Sequence, residues 1–342
     1  MPPSLTVAQA TTVVQTIDGD QTVELLKEHI VLRDGDAMPL ALVRKRKPGP
    51  IGPPVLLVHG FAQNRYSWHL SGRSLTAWLA DRGYDTWNLE LRGHGRSREV
   101  AADQAVGAEE FADYVQDIVR VAEALPGPAF WIGHSLGGAA LYGAATEARG
   151  EAQPRGVIGI GALYRFGQAN KLLNALGRLT HGARNKAWVP ALQVRSKLAG
   201  RLLGRLYGIS DIAGYAFPIS GWWPGSVEPE LLSERLERGF DWTSVRVWQE
   251  MSRWAAEDVF EYDEAWQSTD VPLLVLLGDE DHLMPPADGR SAFDQSGSSD
   301  KTMLVFDDYH HETHWGHLDL ILGKLAPRHV WPVIADWMDH RR

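Results

Sequence analysis

One hydroxyl in this chain is placed as a reagent would be. Ser135 is centred in Trp131-Ile132-Gly133-His134-Ser135-Leu136-Gly137-Gly138, a G-x-S-x-G pattern. The apolar run Pro128-Ala129-Phe130-Trp131-Ile132 before it reads as a buried strand, and the small-residue run Ala139, Ala140, Ala144, Ala145 after it as a helix pressed on a sheet. A serine on so sharp a strand-to-helix turn has little space for neighbouring Cβ atoms. Glycine on either side relieves that crowding and lets a carbonyl approach. The helix that starts at Leu136 turns free N–H groups and a partial positive charge toward the same point.

Such a hydroxyl needs a base within hydrogen-bond reach, and the base needs an orienting acid. The acid candidates follow the apolar run Leu273–Leu277, in Gly278-Asp279-Glu280-Asp281-His282-Leu283-Met284-Pro285. The base candidates lie in Tyr309-His310-His311-Glu312-Thr313-His314-Trp315-Gly316-His317-Leu318-Asp319. The chain order Ser, Asp, His is the one this kind of turn uses. On residue types alone, three carboxylates and four histidines compete for the two roles. The histidine cluster also raises a metal site, but His311-Glu312-Thr313-His314 lacks the i, i+4 spacing of a zinc helix, and no metal is expected. Arg92-Gly93-His94-Gly95-Arg96-Ser97 reads as a structural turn.

Elements must hold these residues. Val23–Leu32 and Leu40–Val43 predict an antiparallel pair at a sheet edge, after a polar lead-in over residues 1–20 that we expect to be loosely held. Val55-Leu56-Leu57-Val58 predicts a strand buried on both faces and ending at His59-Gly60-Phe61. From there helix and strand alternate: helix over Leu75–Asp81, strand over Thr86–Leu91, helix over Glu109–Leu125, strand over Val157–Ile160. Leu273–Leu277 and Met303–Phe306 predict further strands, and Pro327–His340 a closing helix. This alternation predicts a mostly parallel sheet with helices on both faces.

Residues 164–270 break the rhythm. Tyr164–Ser210 holds Arg165, Lys171, Arg178, Arg184, Lys186, Arg195, Lys197, Arg201 and Arg205 with no acidic residue, whereas Asp211–Asp270 is acid-rich. We expect a mainly helical cap inserted before the penultimate core strand, over the sheet edge where open α/β sheets bind ligands. The core is then residues 1–163 and 271–342.

Composition narrows the class. A net charge of −9 argues against nucleic-acid binding, and the absence of cysteine excludes disulfides, a thiolate nucleophile and Cys-ligated zinc. No apolar run approaches the ~20 residues needed to span a bilayer. With no secretory signal visible, a cytoplasmic location is expected.

Four stretches carry a resemblance: His59-Gly60-Phe61; Leu79-Ala80-Asp81-Arg82-Gly83-Tyr84-Asp85-Thr86-Trp87-Asn88; Gly133-His134-Ser135-Leu136-Gly137-Gly138; and His317-Leu318-Asp319-Leu320-Ile321-Leu322-Gly323. Through them the chain resembles the α/β-hydrolase superfamily, and within it the acid-lipase type. Acid lipases carry Gln where this chain has Leu136, and have cysteines and secretion signals, so substrate does not transfer. The resemblance implies Asp281 as the acid, through the pattern Gly278, Asp281, Pro285, and His317 as the base. The oxyanion donors would be the N–H groups of Phe61 and Leu136, and we read the imidazole of His59 as structural.

The expectation is therefore a serine carboxylic-ester hydrolase, an esterase or lipase without a cofactor, acting on a small-molecule ester or lipid. A thioesterase, lactonase, haloperoxidase or carbon–carbon bond hydrolase would share the same residues, and a non-catalytic binding protein is the reading outside enzymes. Phe217, Trp222 and Trp223 are candidate acyl-pocket residues. The leucine stripes Leu172, Leu176, Leu179 and Leu198, Leu202, Leu206, interleaved with cations, predict amphipathic helices and a transient contact of the cap with a lipid interface.

Overall fold

The computed structural model describes residues 3–102, 107–108, 110–165, 169, 175, 193–195 and 221–342. In chain order the elements of the first half are β1 (Ser4–Asp18), β2 (Gln21–Asp34), β3 (Ala37–Arg46), β4 (Pro54–Val58), α1 (Leu75–Asp81), β5 (Asp85–Glu90), α2 (Gly95–Ala101), α3 (Ala112–Ala124), β6 (Phe130–His134), α4 (Leu136–Glu147) and β7 (Gly156–Ile160). There follow β8 (Gln193–Arg195), α5 (Pro229–Arg238), β9 (Trp242–Ser244), α6 (Val245–Glu257), α7 (Asp263–Gln267), β10 (Leu273–Gly278), α8 (Pro286–Gly289), α9 (Ser291–Gln295), β11 (Lys301–Phe306), α10 (Asp308–His311), α11 (Asp319–Leu322) and α12 (Ala326–Asp339).

Nine strands form one sheet in the order β1-β2-β3-β5-β4-β6-β7-β10-β11. The ladders from β5 through β11 are parallel, while β1, β2 and β3 join antiparallel at one edge. Strands β4, β7 and β10 hold only apolar residues and glycine because both faces are covered. Val55 and Leu57 of β4 and Phe130 and Ile132 of β6 turn to a layer with α1 and α12. Leu56, Val58 and Trp131 turn to the opposite layer, with α3, α4, α6 and α7. Each such side chain contributes roughly 1.5–3 kcal/mol through burial, which is what pins the strand ends that carry the site.

Residues 4–18, expected to be loosely held, are instead the 15-residue strand β1, paired with β2 from Ser4↔Arg33 to Asp18↔Gln21. Most of β1 is exposed. Its Thr- and Val-rich sequence suits a pleated edge, but with a buried face only at Gln15 and Ile17 it lacks the apolar run that announces a strand. Among the described residues between β7 and β10, β8 and β9 form a separate antiparallel pair, and α5, α6 and α7 supply the helices.

Candidate active site

Ser135 follows β6 directly and caps α4 with φ 56° and ψ −126°. A non-glycine residue in such a conformation costs about 1–3 kcal/mol and persists only where its surroundings over-determine it. Here they do. The Ser135 N–H donates to the Ile160 carbonyl (3.1 Å), and its own carbonyl accepts from Leu163 N (3.1 Å). Three glycines allow the approach. A Cβ on Gly137 would lie 2.3 Å from the His59 carbonyl oxygen, one on Gly133 2.6 Å from Gly138 Cα, and one on Gly60 2.9 Å from Ser135 Cβ.

The acid and base loops meet beside this turn. His317 Nδ1–H donates to Asp281 Oδ2 at 2.7 Å, and both side chains are almost wholly buried. The other oxygen, Asp281 Oδ1, accepts from the N–H groups of Leu283 (2.9 Å) and Met284 (2.7 Å), so the carboxylate cannot turn away. With the proton on Nδ1, the neutral imidazole presents Nε2 as an acceptor. Gly161, next to the Ser135 partner Ile160, closes over the pair: a Cβ there would sit 2.9 Å from His317 Nδ1.

The rival residues form a second pair outside this one. Asp279 Oδ2 accepts from His314 Nδ1 at 2.6 Å, and its Oδ1 from Trp315 N at 2.8 Å. That bond raises the His314 pKa above the ordinary imidazole value. Ligand atoms of Asp279, Asp308 and His314 lie within 4.8 Å of one another, but Asp308 is exposed and the other two are half-buried. Glu280 instead faces His282 (3.2 Å).

His59 is buried, its Nδ1–H donating to the Gly60 carbonyl and its Nε2 accepting from Leu91 N, the structural part expected of it. Burial lowers its pKa well below the usual value. The Arg92 guanidinium binds Asp113 and Asp117 of α3 at 2.6–2.8 Å, which makes that turn a brace. Phe61 is half-buried in the turn after Gly60, its ring 5.9 Å from Trp248. Leu136 is the first residue of α4, where an N–H has no intrahelical acceptor. Trp222 is buried against Leu318, and Trp223 lies 4.4 Å from the His314 ring. Phe217, the leucine stripes and Arg201 and Arg205 lie outside the described residues.

Two residues near the base carry no role in the sequence reading. His134 donates from Nε2 to the His317 carbonyl (3.1 Å), with its ring 4.4 Å from the His317 ring; burial, then His317, hold its pKa well below the usual range. Asp319 is fully buried and accepts from Gly316 N (2.6 Å), Trp223 N (2.7 Å) and Ser226 Oγ (2.7 Å). It thus ties the base loop to the segment that returns from the insertion. The sequence signal was a lone acid in the apolar run Leu318-Asp319-Leu320-Ile321-Leu322.

A strained serine at the C-terminal end of a central parallel strand, beside a buried Asp–His pair, is the arrangement of a family of hydrolases. The chain matches the model of the alpha/beta hydrolase family over residues 55–321, and it belongs to that family. A monoacylglycerol lipase of Mycolicibacterium smegmatis is 23% identical over 266 residues, covering 75% of this chain and 80% of that protein. Protein phosphatase methylesterase 1 of Mus musculus is 36% identical over 106 residues, 30% of this chain and about a quarter (26%) of that protein. Among solved structures, a soluble variant of the monoglyceride lipase of Saccharomyces cerevisiae overlays with a TM-score of 0.61 at 16% identity, covering 98% of this chain and 97% of that one. The monoacylglycerol lipase of Paleococcus ferrophilus overlays at 0.59 and 17% identity, covering 89% and 99%. At these identities the structural likeness is one of fold.

Proposed function

We propose that the protein is a serine carboxylic-ester hydrolase. The carrying observation is the buried Asp281–His317 pair set beside Ser135 on its strained turn. His317 Nε2 takes the hydroxyl proton as Ser135 Oγ bonds to the ester carbonyl carbon. The oxyanion is stabilised by the N–H groups of Phe61 and Leu136, donors fixed by the backbone before reaction begins. The imidazolium, held by Asp281, then protonates the departing alcohol. Water, deprotonated by the same His317, releases the acid and regenerates Ser135. No cofactor enters this sequence.

Residues 164–270 serve in this reading as the cap over the strand ends, with Trp222 and Trp223 toward an acyl pocket for a hydrophobic ester. The monoacylglycerol lipases among the relatives support an ester or lipid substrate. No helix among the described residues is long and apolar enough to cross a membrane; the contact with a lipid interface rests on segments outside the described residues.

The test is labelling by a fluorophosphonate together with turnover of nitrophenyl esters from acetate to palmitate, beside a thioester and a lactone. Labelling confined to Ser135 and lost in Ser135→Ala, with hydrolysis of at least one ester, is expected. Labelling elsewhere, or activity that survives the alanine, overturns the assignment. A thioester turned over far better than any ester would keep the residues and change the substrate class.

A further inference from the structure

Helix α5 buries Leu232 and Leu236 against Trp222, Val227 and Leu318, the residue after His317. The same face carries Arg235, only 1% exposed, at a position where the helical period calls for an apolar side chain. Neighbouring arginines have carboxylates: Arg238 pairs with Glu234 and Arg73 with Glu228. Arg235 has none among the described residues. Its Nη2 reaches Ser67 Oγ at a long 3.4 Å, while Nε and Nη1 are buried without an acceptor. Burial lowers its pKa to about 10, so the group is still charged at neutral pH. The Phe240 ring, 5.7 Å from Cζ, compensates weakly for a buried charge that works against the fold unless a counter-charge arrives.

The place of this charge is specific. Ser67 Oγ donates to Gln63 Oε1 (2.8 Å), and a Cβ on Gly60 would lie 3.4 Å from Gln63 Cδ and 2.9 Å from Ser135 Cβ. The guanidinium is therefore two side chains from the loop that carries Phe61. Its field reaches the rings of both His59 and His134. Gly239 makes room for it: a Cβ there would sit 1.5 Å from Nη1, although its φ of −84° would suit any residue. The added Cβ would also lie 2.6 Å from the Arg235 carbonyl oxygen, so the guanidinium and the helix end both call for the glycine.

We propose that Arg235 is the specificity-determining residue of the site, and that the preferred substrate is an ester bearing a free carboxylate, such as a half-ester of a dicarboxylic acid. A guanidinium matches a carboxylate with two parallel N–H···O bonds, from Nη1 with Nη2 or from Nε with Nη2, and Nε and Nη1 here have no acceptor of their own. The proposal rests on the ester-hydrolase reading, and the experiment separates the two.

Turnover of the 4-nitrophenyl half-ester of glutaric acid is compared with that of 4-nitrophenyl valerate, in wild type and in Arg235→Met. The wild type should favour the anionic ester in kcat/KM. Arg235→Met should lower the anionic-to-neutral ratio by on the order of 10- to 100-fold, through KM for the anionic ester. Arg235→Lys, a point charge without the fork, should fall between. Gly239→Ala, which keeps the arginine and displaces it, should lower the ratio as well. Arg235→Met should also melt at or above the wild-type temperature, since it removes an unpaired buried charge; a lower melting temperature would mark Arg235 as structural and overturn the proposal.

Turnover of valerate with no preference for the half-ester leaves the ester reading standing and sinks this one. Binding decides the case in which neither ester is hydrolysed. Calorimetry of monomethyl glutarate against Ser135→Ala should show binding that the added Arg235→Met removes. Binding that survives it, or none at all, refutes the proposal.

Discussion

Two aspartate–histidine pairs hang from the same two loops. Asp279 holds His314 at 2.6 Å and Asp281 holds His317 at 2.7 Å. By chemistry and distance they are equivalent. They differ in what surrounds them. Asp281 and His317 have side-chain exposures of 0% and 2%, against 21% and 31% for Asp279 and His314. The inner pair is closed over by Gly161 and backed by His134, the residue before Ser135. The outer pair packs its imidazole at a tilt against Trp223 and faces Asp308. A carboxylate–imidazole bond is thus common currency on this surface, and only burial beside the strained serine makes one of the two a candidate for catalysis.

The comparison is broken most directly at the histidines. His317→Ala should lower kcat by on the order of 10⁶, as loss of the base does where Ser and His act as a unit. His314→Ala should change kcat by less than about tenfold, because its partner Asp279 keeps the bond to Trp315 N. Steady-state kinetics on a nitrophenyl ester would read both, and the reverse ranking would move the site outward. Next come the acids. Asp281→Asn should cost on the order of 10⁴ in turnover by presenting the wrong tautomer of His317. Asp279→Asn should again stay within about tenfold.

The sequence held the catalytic candidates but not the choice between these pairs. Residue types and chain order left Asp279 and His314 open, since neither states which loop residue turns inward. Asp281 and His317 were selected by resemblance to a family pattern. The central sheet was legible because strands covered on both faces are continuous apolar runs, as in Val55–Val58. Strand β1 was not, because its stability comes from pairing with β2 and hardly from burial. Arg235 was hidden for the opposite reason: in Leu231-Leu232-Ser233-Glu234-Arg235-Leu236 it reads as one more surface charge unless the helical face is drawn.

A third carboxylate sharpens the contrast. Asp319 binds no imidazole, but holds the N–H of Gly316, next to His317, and two donors of the segment 223–226. Asp319→Ala strands the N–H groups of Gly316 and Trp223 in a buried site, while the Ser226 hydroxyl keeps the Trp223 carbonyl. It should destabilise the fold by about 2–4 kcal/mol in denaturant titration, and lower kcat as the base loop loosens. Near-normal stability would show that the tie is dispensable.

A pH dependence of comparable size is expected at this residue. Burial raises the Asp319 pKa to about 7, against the donors that favour its charge, and the charge of Asp281 adds to the rise. In the unfolded chain the group titrates near 4. Between about pH 4 and 7 the folded protein therefore holds a proton that the unfolded chain has released. Stability must fall as pH rises through that window, then level off above it. The decline owed to this group is on the order of 4 kcal/mol at most. Asp319→Asn preserves the geometry: Oδ1 can accept from Gly316 N and Trp223 N, and the new amide can donate to the Ser226 hydroxyl. It removes the titration. Relative to wild type, Asp319→Asn should gain stability from pH 5 to pH 8, measured by denaturant unfolding at both. A difference that stays constant with pH would mean that Asp319 keeps its charge in the fold, with its three donors outweighing burial.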